Sequence, residues 1–513
     1  MSDKNTALAN PVLTFLHKKR QQITRADLLK AIEHFEIEQL TFHYTGLDGH
    51  LRELNLPFST LRRAEQLLAL GERVDGSSLF KGAVNPADSD LYVIPKYSTV
   101  FLNPFVEHSL DFICRFVNSQ GELAVFPPDN ILERIQRRIH TATELELQAL
   151  GELEFYLLSP CCNNDNYPPQ TQSGYHAAQP FFKHTDLLRK ITSIVQRCTG
   201  HVKYGHAEVG YIPCLHSANP SLDNHSAEQY EVEMNSAPIA DMGDYLSLAR
   251  WIIRSVAQQH GLLATFAPKL QLGMAGSGYH VHLELLHKNR NVMRDAQGQL
   301  SEYALRLIGG LTRYAQCLAA FGNTVAASYL RLVPNQEAPT KICWSFSNRS
   351  SLVRIPLAWS NVRDLSAVIN SADSNQYQPL DSNQTVEFRA PDGSAHTYML
   401  LSALAAAAEW GLTHPEALSY AESCRIEGDV QQSPKRNDLL SLPSSCAESA
   451  SLLEQNRHLF EGAEVFPPAL LSYAIQLLRD EKDEHLAQQI SQASAPEAEI
   501  LCNSVMHRHL HRH

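Results

Sequence analysis

The sequence lacks several features that would place it at once in a large class of proteins. Positive charge is not in excess, because 43 lysines and arginines face 55 aspartates and glutamates, for a formal net charge of −12. A nucleic-acid-binding protein needs a basic face, so this balance argues against that class. The most apolar stretch, residues 398–408, is far shorter than the roughly 20 residues that a membrane-spanning helix needs.

Paired cysteine motifs and a secretory signal are also missing. Ten cysteines are scattered along the chain without a CxxC spacing, so none has the arrangement of a zinc-ligand pair. The first residues contain no basic segment followed by a long apolar run. We therefore expect reduced thiols, a cytoplasmic location and no membrane partner.

What remains is the composition of a globular protein. With 513 residues, 44% of them hydrophobic and 19% charged, the chain is long enough for two domains. The pattern predicts a loose leader over residues 1–22, a strand-rich domain over 23–126, a larger domain over 127–480 and a polar, His-rich tail over 481–513. We expect the terminal MHRHLHRH to be disordered, with binding of a divalent metal as the alternative.

Charged residues at a spacing of two lie in strand-like segments. Successive side chains of a strand point to opposite faces, so residues two apart share a face. The pairs are Glu152 with Glu154, His280 with His282, and Glu387 with Arg389. Neighbouring carboxylates repel each other unless a cation lies between them. A divalent metal is one such cation, and a salt bridge to arginine or lysine is the alternative.

Further carboxylates and arginines favour a metal-dependent reaction of phosphate. Glu208 in HAEVG and Glu231 in EQYEVEM add oxygen ligands, which Mg²⁺ and Mn²⁺ prefer and to which an imidazole is sometimes added. Arg331, Arg349 and Arg354 lie within 24 residues of one another. Guanidinium groups bind phosphate and carboxylate in a bidentate manner. Together these residues indicate phosphoryl transfer, although a single arginine is more often part of a surface ion pair.

With these residues in view, the chain resembles the glutamine synthetase family, in particular its bacterial type I branch. The resemblance covers residues 37–410 and consists of nine segments in the family's order: VDGSS, GELEF, HAEV, EQYE, HGLLATFAPK, GSGYHVH, RLVPNQEAP, NRSSLVRIP and VEFR. It implies an α+β fold, with a β-grasp-like N-terminal domain and a catalytic domain built on a curved antiparallel sheet and helices. It also implies a dodecamer of two stacked hexameric rings, with sites shared between neighbouring subunits.

The resemblance assigns a role to each candidate residue. Two divalent metals, Mg²⁺ or Mn²⁺, would be held in one site, the first by Glu154, Glu208 and Glu231 and the second by Glu152, His280 and Glu387. The other implied roles are glutamate binding by Gly276, Arg331 and Arg389, closure of a flap by Glu337, contact with the transferred phosphate by Arg349, and contact with ATP by His282 and Arg354.

The implied reaction is the ATP-dependent formation of an amide. The γ-carboxylate of glutamate is phosphorylated by ATP, and ammonia or a small primary amine then displaces phosphate. Such a ligase would act in nitrogen metabolism. A catalytically inactive structural or sensor relative is the alternative, although a scaffold has no need of six metal-binding positions.

Four positions depart from the family's pattern. Gly46 occupies the place of an aspartate that helps to bind ammonium, and Ala275 replaces an asparagine of the glutamate-binding loop. Glu284 and Thr385 replace a serine and a basic residue near the nucleotide. Asp48 is expected to form an Asp-Gly turn rather than to substitute for the missing aspartate. Because the changes include the acceptor and amino-acid ends, we expect an acceptor that is either ammonia or a small primary amine.

Overall fold

A computed structural model describes residues 6–84, 89–161, 166–220, 222–333, 338–358, 365–366, 369–370, 372, 383–461 and 465–512. The helices of these residues are α1 (Pro11–Leu16), α2 (Arg25–His34), α3 (Leu61–Leu70), α4 (Gly76–Leu79), α5 (Pro128–Thr143), α6 (Thr185–Thr199), α7 (Ile239–Gln259), α8 (Glu302–Gly322), α9 (Ala326–Arg331), α10 (Thr397–Thr413), α11 (Ala417–Ser423), α12 (Cys446–Gln455), α13 (His458–Glu461), α14 (Pro468–Arg479), α15 (Leu486–Gln492) and α16 (Ala495–Met506).

The strands of the same residues form two sheets. Their bounds are β1 (Gln39–Thr45), β2 (Leu51–Pro57), β3 (Glu72–Asp75), β4 (Asp90–Pro95), β5 (Phe101–Leu102), β6 (Ser109–Val117), β7 (Glu146–Pro160), β8 (Val202–Ile212), β9 (His225–Met234), β10 (Ala237–Pro238), β11 (Leu263–Thr265), β12 (Val281–His287), β13 (Arg290–Asn291), β14 (Trp344–Phe346), β15 (Val353–Ile355) and β16 (Val386–Phe388).

The smaller sheet belongs to the N-terminal part of the chain. Its strand order is β2-β1-β6-β4-β3, and β5 pairs with β6. The predicted hairpin is confirmed, because β1 and β2 pair antiparallel around the Asp48-Gly49 turn, where Gly49 has a φ of +71°. β1 also pairs parallel with β6, which closes a mixed sheet of the β-grasp kind. Together with the large sheet and its helices described below, this sheet confirms the α+β fold predicted for the chain.

The larger sheet carries most of the candidate site residues. Its order is β14-β15-β16-β12-β7-β9-β8, with β10 and β11 added to β7 and β13 added to β12. All of its pairs are antiparallel except β14 with β15. Because the long strand β7 pairs with both β9 and β12, it is the element around which the site is assembled.

A layer of helices supports this sheet. The apolar run 398–408 lies in α10, which packs against α5, α7 and α8, and every residue of the run is buried. The helices approach closely because small residues face one another: a Cβ on Gly310 would lie 2.0 Å from the carbonyl oxygen of Ala407. No helix in the described part of the chain is long and apolar enough to cross a membrane.

The described residues near the two ends of the chain, 6–22 and 495–512, are folded, which differs from two expectations. The expected loose leader contains α1, whose first turn is capped by the side chain of Asn10 and whose Val12 is fully buried. The expected disordered His-rich end continues from α16 and is packed: His507 and Leu510 are 7% and 5% exposed. Both segments fold because their apolar residues contact distant parts of the chain, which local composition does not show.

An ionic cluster joins the small sheet to the part of the chain that carries the large sheet. The Asp244 carboxylate on α7 accepts hydrogen bonds from Lys96 Nζ at 3.0 Å and from Arg115 Nη2 at 2.8 Å. Lys96 also contacts Asp241 at 2.6 Å, and Arg115 contacts Glu133 at 2.8 Å. Since opposite charges satisfy each other in this partly buried contact, the two parts are held in a fixed orientation.

Candidate active site

Strand pairing brings the predicted metal ligands to one face of the large sheet. In the β7–β9 pair, Glu154 lies opposite Glu231, and in the β8–β9 pair His206 lies opposite the same Glu231. Residues directly opposite across an antiparallel pair have Cβ atoms only about 5 Å apart. The register therefore places two carboxylates and one imidazole, from three neighbouring strands, side by side.

The second group of predicted ligands lies on the other side of β7. Glu152 is the centre of this group: its Oε2 is 2.8 Å from His280 Nδ1, and its Oε1 is 2.8 Å from His282 Nε2. Glu387 of β16 lies opposite His282, and its Oε1 is 3.8 Å from His280 Nδ1. Glu152, His282 and Glu387 each offer one ligand atom, and these three atoms lie within 4.8 Å of one another.

His280 lies between the two groups of ligands. Its Nδ1 is also 3.9 Å from Glu154 Oε1, so three carboxylates converge on this nitrogen. His282 instead has both ring nitrogens engaged, since Nδ1 is 2.9 Å from Thr385 Oγ1. Both imidazoles thus contact Glu152, although the sequence analysis assigned only His280 to a metal.

The first group of ligands includes a histidine that the sequence analysis missed. His206, Glu208 and Glu231 each offer one ligand atom, and these three atoms lie within 4.8 Å of one another. His206 Nε2 is 3.4 Å from Glu231 Oε1, and its Nδ1 is 3.7 Å from Glu208 Oε1. The signal was present, because His206 precedes Glu208 by two residues in a strand and shares its face. Glu154 of β7 is the remaining predicted ligand of this group. Its Oε2 accepts the backbone N–H of Gly278 at 2.8 Å.

The carboxylates of the two groups differ in their electrostatics. Burial, together with the charges of Glu152, Glu154 and Glu208, raises the pKa of Glu231 well above its ordinary value. Burial also raises the pKa of Glu154. In contrast, although burial opposes ionisation, the charge and hydrogen bonds of His282 and His280 bring the pKa of Glu152 well below its ordinary range.

These shifts bear on whether the residues suit a metal. The crowded carboxylates of Glu154, Glu208 and Glu231 disfavour one another's ionisation, and a divalent cation between them would remove that cost. Oxygen-rich donor sets with one imidazole are those that hard cations prefer. The residues of the first group therefore fit a divalent metal, and Glu152, Glu387 and a histidine fit a second one.

A cavity of about 420 Å³ opens beside the ligands. Its walls include Gly276, Arg331 and Arg389, the three residues predicted to bind glutamate, together with Glu154, Glu208 and His280. Glycine is needed where the loop approaches the site. A Cβ on Gly278 would lie 2.7 Å from His280 Nε2 and 2.9 Å from Arg331 Nη2. The cavity thus offers guanidinium groups for carboxylates next to the metal-ligand residues.

The remaining predicted residues lie around this cavity or outside the described part of the chain. Arg354 on β15 donates to Glu387 Oε2 at 2.8 Å, which places it beside the second ligand group. Arg349 is exposed in the turn between β14 and β15 and does not line the cavity. Glu337 lies outside the described residues, so its predicted flap role stays a prediction. Glu284 accepts a hydrogen bond from Asn291 Nδ2 at 2.6 Å.

Two further polar residues of the cavity were not singled out in the sequence. Lys269 is buried, its ammonium donates to the carbonyl of Met274, and burial and the neighbouring Arg331 lower its pKa to about 8. Gln229 donates to Glu154 Oε2 at 3.2 Å and to Gly276 O at 3.0 Å. Both residues lie within quoted motifs, HGLLATFAPK and EQYE, but only the fold shows that their side chains reach the cavity.

Comparison with known proteins assigns the chain to a family. The family model "Glutamine synthetase, catalytic domain" matches residues 126–494, and "Glutamine synthetase, beta-Grasp domain" matches residues 36–119. The chain belongs to the glutamine synthetase family. The resemblance seen in the sequence is thereby confirmed at the level of the family.

Curated relatives and solved structures agree with this assignment. Glutamine synthetase of Pyrococcus horikoshii is 28% identical over 421 residues, which cover 81% of this chain and 83% of the relative. Glutamine synthetase of Thermus thermophilus is 29% identical over 402 residues, which cover 76% of this chain and 80% of the relative. The structure of Plasmodium falciparum glutamine synthetase superposes with a TM-score of 0.71 at 19% sequence identity, covering 93% of this chain and 98% of that one. The ADP complex of GmaS superposes with a TM-score of 0.67 at 22% sequence identity, covering 92% of this chain and 98% of that one. The two structures show that the fold is shared.

Membership of the glutamine synthetase family identifies the kind of enzyme. The chain is an ATP-dependent ligase of glutamine synthetase type, and the prediction of an enzyme is confirmed. The family depends on ATP and divalent metals, uses glutamate and ammonia, and forms oligomers. An inactive relative, the alternative considered from the sequence, is not favoured.

The departures from the glutamine synthetase pattern can be located in the fold. Gly46 lies in the β1–β2 turn, where its carbonyl oxygen is 3.0 Å from His396 Nε2. Asp48 accepts the backbone N–H of His50 at 3.3 Å and pairs with Arg52, as expected of a turn residue, and it lines a different cavity. Ala275 lines the active-site cavity, and its carbonyl accepts the Tyr156 hydroxyl at 2.8 Å.

Proposed function

We propose that the chain phosphorylates the γ-carboxylate of glutamate with ATP and joins the activated carbonyl to ammonia or a small primary amine. The observation that carries this proposal is the position of Arg331 and Arg389 in one cavity with Glu154, Glu208 and His280. The cavity thereby combines groups that bind an amino acid with groups that bind a metal.

The roles of the chain's own residues follow from this geometry. Arg331, whose Nη1 already donates to Ala390 O at 2.9 Å, is held rigidly in the wall and presents its charge to a substrate carboxylate. Arg389 and Arg354 both pair with Glu387 and add positive charge where phosphate accumulates negative charge. Two divalent cations, Mg²⁺ or Mn²⁺, would be held by Glu154, Glu208 and Glu231 and by Glu152, His280 and Glu387, and would neutralise the phosphates of ATP.

The proposed reaction has two steps. A γ-carboxylate oxygen of glutamate attacks the γ-phosphorus of ATP, the bond to the bridging oxygen breaks, and ADP leaves. The amine nitrogen then attacks the acyl carbon, phosphate leaves with its bonding pair, and the nitrogen loses a proton. Water must be excluded between the steps because it would hydrolyse the acyl phosphate.

The acceptor is the open part of the proposal. Gly46 brings no carboxylate for an ammonium ion, and Ala275 presents a methyl group to the cavity where the family has an amide. Met274 and Val209 line the same cavity, so its wall is partly apolar. This wall supports an acceptor with a carbon-bearing body, and ammonia is the second candidate because the glutamine synthetase family uses it.

An acceptor screen tests the proposal. Purified protein would be incubated with ATP, Mg²⁺ or Mn²⁺ and glutamate, and phosphate release would be measured with ammonia and with a panel of small primary amines. Product masses would identify the amide. Activity with one or more amines that exceeds activity with ammonia supports the amine acceptor, and strong activity with ammonia alone rejects it. Absence of glutamate-dependent phosphate release with every acceptor would overturn the whole function.

A further inference from the structure

The C-terminal segment of the chain packs against the active site although it lies beyond the matched family domains. The catalytic-domain match ends at residue 494, and α16 begins at Ala495. We define residues 495–512 as the C-terminal brace. It contacts the loop between β11 and β12 and helix α9, which both contribute residues to the cavity wall, and the connection between β8 and β9, two strands that also line the cavity.

The brace forms two hydrogen bonds and an apolar contact with the end of β11 and the loop that follows it. His507 Nε2–H donates to the carbonyl of Leu270 at 2.8 Å, and the Thr265 hydroxyl donates to the carbonyl of Leu510 at 2.6 Å. The Leu510 side chain is buried in one apolar cluster with Ala267 and Leu270. Six residues of this loop (Lys269, Gly273, Met274, Ala275, Gly276 and His280) line the active-site cavity.

The same histidine reaches the connection between β8 and β9. Since the carbonyl of Leu270 requires a donor at Nε2, Nδ1 of a neutral His507 accepts from the Ser217 hydroxyl at 2.9 Å. Ser217 in turn accepts the backbone N–H of Asn219 at 3.0 Å. β8 and β9 carry His206, Glu208 and Glu231, so a single buried imidazole ties the loop that carries Gly276 to the strands that carry the first ligand group.

The third contact supports α9. Cys502, Val505 and Met506 of α16 form an apolar cluster with Val325, Ala326 and Ala327. Glu481 accepts the N–H of Ala326 at 3.1 Å and pairs with His509 and Arg512 of the brace, both at 2.8 Å. The last residue of α9 is Arg331, so the brace holds the helix that presents this guanidinium to the cavity.

We propose that the C-terminal brace is a positioning element for the amino-acid half of the active site. The inference rests on the proposed function, because it takes the wall of Gly276 and Arg331 as the glutamate site. Small displacements of groups that orient a substrate weaken binding or turnover strongly, and a loop is held in place only by its contacts. His507 and Leu510 act through the loop and touch no substrate themselves.

Three variants and one control test the brace in the full-length protein. His507→Ala removes both ring contacts, His507→Gln restores a donor for Leu270 O, and Leu510→Ala removes the apolar contact. His511→Ala is the matched control, since His511 is exposed in the same segment. We expect His507→Ala and Leu510→Ala to raise the KM for glutamate roughly tenfold while changing the KM for ATP less than about twofold. We expect His507→Gln to recover most of the loss and His511→Ala to match the unchanged protein.

Amide hydrogen exchange provides a second measurement that does not depend on substrate. His507→Ala and Leu510→Ala should fold, as judged by an unchanged oligomer and a thermal midpoint above the assay temperature, and should show faster exchange over residues 266–276 and 213–219 than the unchanged protein and His511→Ala. Unchanged exchange there, or an equal rise in the KM for ATP and glutamate, would overturn the inference. A failure of the proposed function would instead appear in the unchanged protein, as missing glutamate-dependent phosphate release, and the exchange measurement would still decide the role of the brace.

Discussion

Glu152 contacts both histidines of the second ligand group. Its two carboxylate oxygens are each 2.8 Å from a different histidine, and β7 places it two residues before Glu154 in the other ligand group. A same-face pair in one strand thereby contributes to both ligand groups, which under the proposed function would hold two different metals. The two histidines of GSGYHVH also share a carboxylate rather than having wholly separate surroundings.

Replacement of Glu152 separates an enzyme from a scaffold. We expect Glu152→Ala to lower the rate of glutamate-dependent phosphate release by more than roughly a hundredfold, because a ligand and the anchor of both imidazoles are lost together. Glu302→Ala, on the exposed surface of α8, is the control and should retain full activity. Size-exclusion chromatography should show the same oligomer for both variants. Retained activity in Glu152→Ala would contradict the assignment.

The two histidines can be distinguished by binding measurements. If His280 is the metal ligand and His282 contacts nucleotide, His280→Ala lowers the affinity for Mn²⁺ roughly tenfold to a hundredfold, and His282→Ala mainly raises the KM for ATP. Titration of Mn²⁺ by electron paramagnetic resonance, without ATP, measures the first effect. A larger loss of Mn²⁺ affinity in His282→Ala would assign the ligand to His282, whose Nε2 faces Glu152 and whose Nδ1 is engaged by Thr385.

At the scale of elements, strand periodicity predicted much of the site, and long-range contacts explain what it did not predict. The two-residue spacing correctly placed Glu152 and Glu154 on one strand, and the Asp48-Gly49 hairpin formed as expected. The order of β7, β9 and β12 in the sheet is not encoded in any local pattern, so the juxtaposition of Glu154 with Glu231 needed the fold. The same limit applies to Leu510, which packs against residues more than 200 positions earlier.

The close packing of α8 on α10 leaves little room for a methyl group at Gly310. We expect Gly310→Ala to destabilise the protein by about 1–3 kcal/mol, because the added Cβ would lie 2.0 Å from Ala407 O and the helices must move apart. A lowered thermal midpoint with unchanged KM values would show this. Tyr303→Ala, at an exposed position of α8, is the control and should move the midpoint far less. An unshifted midpoint in Gly310→Ala would show that the close helix contact is not required.

At the scale of the whole molecule, the N-terminal sheet is attached to the catalytic part through polar groups as well as apolar ones. Lys96 and Arg115 reach across to Asp241 and Asp244 of α7. His396, at the start of α10, reaches Gly46 in the β1–β2 turn. The β1–β2 turn, where an aspartate was expected at the position of Gly46, is thus tied to α10 of the same chain, and this contact restrains the backbone next to Asp48.

The His396 contact makes the attachment of the two parts depend on pH. Burial, together with the nearby Arg250, lowers the pKa of His396 from an ordinary value of 6.5 to about 4, despite its bond to Gly46 and the charge of Asp48. The folded protein therefore keeps this ring neutral, while the unfolded chain takes up a proton as the pH falls below about 6.5. The contribution of His396 to the free energy of unfolding is therefore fully present above pH 6.5. It falls by about 1.4 kcal/mol per pH unit as the pH drops from there towards 4.

Thermal unfolding at pH 7.5, 6 and 5 measures the effect by comparison of variants. The unchanged protein should lose more stability over this range than His396→Asn, because asparagine has no proton to take up. His396→Asn should be less stable than the unchanged protein at pH 7.5, where the neutral imidazole still donates to Gly46 O, and the difference should shrink as the pH falls. His485→Asn, at an exposed position, should follow the unchanged protein at every pH. Parallel curves for His396→Asn and the unchanged protein would show that His396 is protonated equally in the folded and unfolded states, and the attachment would then owe its pH dependence to other groups.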